Sequence, residues 1–148
     1  MKVRHARKKY LVPKCRSGRP VRLTDGSTDM KYMLLIYLDE QKPLSETERQ
    51  ECYAESTRLA QELHTNGQYL GANPLHATSM ATSVRVRDGK RLVTDGPFAE
   101  TREQLGGYFL IEANNLDAAI GIAARIPMAR KGTVEVRPVI DIPGLPAQ

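Results

Sequence analysis

The chain has no Trp and only two Phe among 148 residues, with aromatics at 5%. Aliphatic and Ala side chains must therefore fill any core. No apolar run approaches the ~18 residues that a membrane-spanning helix needs. The N-terminus is basic but lacks the apolar segment of a secretory signal. Cysteine is nearly absent: Cys15 and Cys52 show neither metal nor redox spacing. That usage suits a reducing compartment, and a cytoplasmic location is expected. No Cys/His/Asp cluster has metal-ligand spacing, so no metal site is expected. No phosphate-cradling glycine motif occurs, so nucleotide cofactors gain no support and none is assigned. Internal repeats and low-complexity tracts are also lacking.

What is present divides unevenly. The net charge is +5. Residues 1–30 hold nine Lys/Arg against Asp25 and Asp29, a net of +7, and residues 31–148 hold thirteen against fifteen acids, a net of −2. The basicity thus belongs to the first thirty residues. Residues 1–29 carry no sustained period and are expected to be a basic, disordered tail, or an extension upstream of the native start at Met30. Nucleic acid is an unlikely partner except through this tail, because the domain over 30–148 is mildly acidic.

The domain reads as alternating elements. "KYMLLIYL" (31–38) is a strand with apolar side chains on both faces. Ser45 to Glu48 spell a capping box, and Cys52, Ser56, Leu59, Ala60 and Leu63 form one helical stripe. Asn66-Gly67 ends that helix. Short strands are expected over 68–72 and within 76–87. Asp88-Gly89 signals a hairpin turn into "RLVT" (91–94). Residues 100–105 suggest a helical turn broken at Gly106-Gly107, followed by a strand over 108–113. Asn115 caps a second helix over 116–126, with Leu116, Ala119, Ile120, Ala123 and Ile126 as its buried stripe. The last strand is 133–140, and Pro138 puts it at an edge.

Two helices and four main strands in this order predict an α+β, ferredoxin-like split βαβ fold with an extra β-hairpin. The helices can cover one face of the sheet only. The other face would expose Met33, Leu35 and Tyr37 beside charged groups such as Arg85, Glu135 or Arg137. A twofold homodimer packing sheet against sheet removes that exposure. The open face is therefore expected to be both dimer surface and pocket.

"MKYMLLIY", "SVRVRDGKRLVTDGPFAETREQLGGYFLIEA" and "GTVEVRPV" closely resemble the DGPF-domain proteins of the YCII-related family, in the same order over residues 30–140. The resemblance implies a dimeric α/β barrel and a small-molecule enzyme whose cavity carries a His–Asp pair. It also implies an association with extracytoplasmic-function sigma factors. This chain departs from the pattern, because the first-helix residues 51–58 contain no His. Tyr53 or His76 would then take its place, with Asp95 at the family Asp.

Six residues carry the site expectation. Asp95 is the general acid or base, or else the carboxylate of an Asx-type turn. Tyr53 and His76 are the candidate second groups. Arg85 would clamp a small anionic metabolite, unless it pairs across the sheet with Glu135. Phe98 would bind substrate or plug the cavity or dimer edge. Glu100 would pair with an arginine or remain a solvated acid. Two functions fit this set. One is a cofactor-free, isomerase- or lyase-like acid–base enzyme. The other is a non-catalytic ligand-binding or regulatory dimer working with sigma-factor systems.

Overall fold

A computed structural model describes residues 29–146. The expected tail over 1–29 therefore lies, apart from Asp29, outside the described residues. The elements run β1 (Met30–Leu38), α1 (Glu46–Thr65), β2 (Tyr69–Pro74), β3 (Thr82–Arg87), β4 (Lys90–Asp95), β5 (Gln104–Ala113), α2 (Leu116–Arg125) and β6 (Thr133–Pro138). Four strands make one sheet in the order β2-β5-β1-β6, and β3 and β4 make a separate two-stranded ribbon. β1 runs antiparallel to both of its neighbours. This is the strand order of a split βαβ arrangement.

Pleat alternation decides which residues are buried. Tyr32, Leu34 and Ile36 of β1 face the helices. They meet Phe109 and Ile111 of β5 together with Leu59 and Leu63 of α1 and Ala119, Ile122 and Ala123 of α2. Met33, Leu35 and Tyr37 face the other way and are half-buried. As expected, β6 is an edge strand, and it ends at Pro138.

The helix signals act as local chemistry dictates. The Ser45 hydroxyl accepts the Glu48 amide N–H, and the Ser45 amide N–H donates to the Glu48 carboxylate at 2.9 Å. At the other end the Gly67 N–H donates to the His64 carbonyl and the Gln68 N–H to the Leu63 carbonyl, the two bonds of a Schellman motif. Gly67 can close it because it tolerates φ +72°.

Three local readings need correction. Residues 104–107 are strand, not a helical turn. Gly106 and Gly107 extend β5 because neighbours come close: a Cβ on Gly107 would sit 3.0 Å from the Asn73 carbonyl oxygen. The buried face of α2 is Ala119, Ile122 and Ala123, whereas Leu116 and Ile120 are exposed. Both stripes are apolar, and packing selects between them. Finally, β3 is not a central strand of the main sheet. Arg85 stands opposite Leu92 on the ribbon and is exposed, so it cannot reach Glu135 as a strand neighbour. Glu135 pairs instead with Arg137 of its own strand.

Candidate functional site

α1 does two different jobs along its length. Its C-terminal half drives Leu59 and Leu63 into the core. Between Arg49 and Ala60 a second face, Arg49, Cys52, Tyr53, Ser56, Thr57 and Ala60, spaced by threes and fours, lies over a gap above the sheet. That gap is a cavity of about 770 Å³. Its floor includes Ile36, Ala72 and Phe109, and its rim includes Glu40, Leu75 and His76. The lining is mainly apolar with a few polar groups, the usual make-up of a small-molecule pocket. The cavity lies on the helix side of the sheet. The sequence placed a pocket on the open face, whereas this cavity lies beneath α1.

α1 is held over this gap by ion pairs to the segment after α2. Arg130 makes two hydrogen bonds to the Glu55 carboxylate, at 2.9 and 2.7 Å, and Lys131 reaches Glu48 at 2.5 Å. Farther along, Arg125 pairs with Glu62. The bond from Lys131, with help from Ser45, lowers the Glu48 carboxyl to about 2. The Arg130 hydrogen bond likewise lowers Glu55. These contacts fix the helix without entering the pocket.

Glu40 anchors the opposite rim. The Thr78 N–H donates to one of its oxygens at 2.9 Å and the Thr78 hydroxyl to the other at 2.6 Å. This ties the loop carrying His76 to the end of β1.

Of the six residues expected at a site, Tyr53 and His76 line this one cavity, both at its exposed rim. Asp95, Arg85, Phe98 and Glu100 are not among its lining residues. Asp95 ends β4 and is exposed. Among the described residues its carboxylate makes no hydrogen bond within the chain; the adjacent Gly96 N–H donates to the Ala81 carbonyl at 2.7 Å, and the Ser83 hydroxyl to the Gly96 carbonyl. The turn at "DGPF" is therefore held by the Gly96 N–H bond, the Ser83 hydroxyl and Gly96 at φ +91°, not by an Asx bond. Phe98 is 79% exposed, so within one chain it plugs nothing. Glu100 is exposed in the loop before β5.

Sequence reasoning missed Glu40, Arg49 and the role of Cys52 and Ser56. A signal existed. Two small polar residues interrupt the apolar stripe of α1, and a stripe that turns polar over one half faces a gap rather than a packed core. Among the described residues no group of His, Cys, Asp and Glu could hold a metal ion. No described helix is long and apolar enough to cross a membrane.

The model of the YCII-related domain matches residues 30–143. An uncharacterized protein of Rhizobium meliloti (strain 1021) is 33% identical over 114 residues, covering 74% of this chain and 92% of that protein. The chain belongs to the YCII-related domain family.

Proposed function

We propose that the cavity beneath α1 binds a small, largely apolar metabolite with one polar or anionic group and performs cofactor-free acid–base chemistry on it. The observation that carries this reading is the convergence of Tyr53 and His76 on one mainly apolar cavity. Imidazole is the side chain suited to exchanging protons near neutrality, and a phenol is a donor that stays protonated there. The supported reaction is isomerase-like. His76 takes a proton from the carbon beside a carbonyl, and the C–H electron pair forms the enolate. The Tyr53 hydroxyl donates a hydrogen bond to the enolate oxygen. With a β,γ double bond in the substrate the enolate is a dienolate, and the proton returns to its γ-carbon, leaving the double bond conjugated with the carbonyl. Arg49 at the cavity wall, whose guanidinium pairs with Glu46, would have to exchange that partner for an anionic group of the ligand, a task the sequence assigned to Arg85.

The working unit in this reading is a cytoplasmic homodimer, packed through the open faces of the sheets. Its support is the half-buried apolar row Met33, Leu35 and Tyr37, which no helix covers. In such a dimer, Asp95, Phe98 and Glu100 would act from interface positions.

The test is solvent-deuterium exchange into a panel of small keto acids, followed by NMR. Exchange above background, lost in His76→Gln and cut at least ~100-fold in Tyr53→Phe, is the expected result. Exchange that survives both substitutions contradicts it.

A second reading has its own support in the exposure of Asp95 away from the cavity. In it the same pocket senses a metabolite without turnover, and the dimer acts on sigma-factor partners. Binding of a panel compound without exchange separates this reading from the first.

A further inference from the structure

The cavity wall that α1 provides is tied down at its two ends and loose between them. At the upstream end the Glu40 N–H donates to the Gln104 side-chain carbonyl at 3.0 Å, and the Glu40 carboxylate holds Thr78. At the downstream end Leu59 and Leu63 are buried in the core. Between these anchors no residue is buried. Gln41, Lys42 and Pro43 are exposed, and within 44–58 only Leu44, Glu48, Cys52, Glu55 and Ser56 are half-buried. Among the described residues, the hydrogen bonds that link this stretch to elements outside α1 and its preceding loop come from two ion pairs, Glu48 with Lys131 and Glu55 with Arg130. The two cations have a firm base, because Ile126 and Pro127 just before them are buried. The two acids are seven residues apart, so both pairs lie along one edge of the helix. Arg49, Tyr53, Ser56 and Ala60 lie about a third of a turn round from that edge, over the cavity. A joint is present as well. The Thr57 hydroxyl donates to the Tyr53 carbonyl at 2.8 Å, a kind of bond that often bends helices.

We infer that residues 44–57 are a lid that rolls about this ion-paired edge and closes the cavity over its ligand. The lid belongs to the reading of this cavity as the working site and supplies what completes it. Tyr53 rides on the moving wall. His76 stands on the opposite rim, in the loop that Glu40 holds through Thr78. Both side chains are exposed and the cavity is open at this rim, so the structure shows the lid raised. Rolling the overhanging face down carries the Tyr53 hydroxyl toward His76 and excludes water from the space between them. Exposed ion pairs suit such a hinge, because each contributes little and can re-form as the helix turns. The half of α1 packed through Leu59 and Leu63 stays fixed, and the bend falls at Thr57.

The experiment reads distances in the full chain without a ligand. Nitroxide pairs are placed at positions 54 and 80 and, as the control, at 61 and 80, in a Cys15→Ser/Cys52→Ser background, and measured by pulsed electron paramagnetic resonance. Ala54 is on the lid, Gln61 on the fixed half and Met80 beside the rim; all three are exposed and none lines the cavity. The 54–80 distribution should be about twice as wide as the 61–80 distribution or more. Arg130→Met/Lys131→Met should broaden it further and leave 61–80 unchanged. The amides of residues 50–57 should exchange slowly with solvent, because the lid moves as a helix. Distributions of equal width in the wild type overturn the lid. Equal broadening of both pairs in Arg130→Met/Lys131→Met also overturns it, since the ion pairs would then hold the whole helix. Fast amide exchange over 50–57 means a frayed helix end and overturns it too. A wide 54–80 distribution in a protein that exchanges deuterium into no keto acid supports the lid and removes the acid–base reading alone.

Discussion

The four-stranded sheet and the β3–β4 ribbon are written in the same local code but have opposite fates. Both contain strands alternating apolar with polar residues. In the sheet, alternate residues of β1 disappear into the core, with Leu34 at 0% exposure. In the ribbon, Val84 keeps 59% of its surface. The difference lies in what covers each strand. The sheet has α1 and α2 on one side, while the ribbon has no helix of its own. Alternation therefore specifies a face that needs covering, and only tertiary structure says whether the cover comes from the same chain.

Stability measurements on dilute protein, where a dimer does not contribute, should expose this contrast. Leu34→Ala should cost about 2–5 kcal/mol in urea unfolding, through lost burial and the hole left behind. Val84→Ala should stay within about 0.5 kcal/mol. Equal losses at the two positions would break the comparison. Gly132→Ala should come next. Its Cβ would overlap the backbone carbonyl oxygen of Tyr37, so the β1–β6 pairing has to shift at a cost of about 1–3 kcal/mol. An ordinary methyl tolerance there would mean that β6 is less tightly held than the sheet implies. Ser45→Ala removes the cap of α1 and should cost about 1 kcal/mol.

The smallest effect concerns pH. The Glu48 carboxyl is lowered from 4.5 to about 2, chiefly by its hydrogen bond to Lys131. A carboxyl lowered on folding stabilises above its unfolded value and loses that contribution as pH falls toward its folded value. The thermal advantage of wild type over Glu48→Gln should thus be constant above about pH 5 and shrink between about pH 4.5 and 2. Because the pair is exposed, high salt should reduce it too. An advantage that grows on acidification contradicts the pairing.

Legibility in the sequence followed the range of the interactions. The capping box, the Gly67 stop, the Asp88-Gly89 turn and the edge position of β6 depend on neighbours within a few residues, and each was readable. The order of elements was readable as well, and with it the class of fold. Arg85 shows where this ends. Its strand was correctly paired with β4, but nothing in "SVRVR" tells whether that hairpin joins the main sheet. The α2 stripe was right at Ala119, Ala123 and Ile126 and wrong at Leu116 and Ile120, since Ile120 and Ile122 are equally apolar and only the core chooses between them. The cavity was the least visible. It lies mostly beneath the part of α1 that precedes Leu59 and Leu63, the helix's two buried residues, and only tertiary packing shows which part of a helix lacks a partner. Tyr53 and His76 were named as stand-ins for the family's missing first-helix His, and Glu40 was not named, because nothing local marks a residue that binds Thr78 across 38 positions.

The central claim is that ligands enter beneath α1. Its most direct measurement is an amide-resolved NMR titration of the full chain with the panel of small keto acids. The account expects shifts clustered at residues 49–60 and 72–77, weakened by Tyr53→Phe. Shifts confined to the β3–β4 ribbon or to the open face of the sheet, or no shifts at any concentration tested, would contradict it.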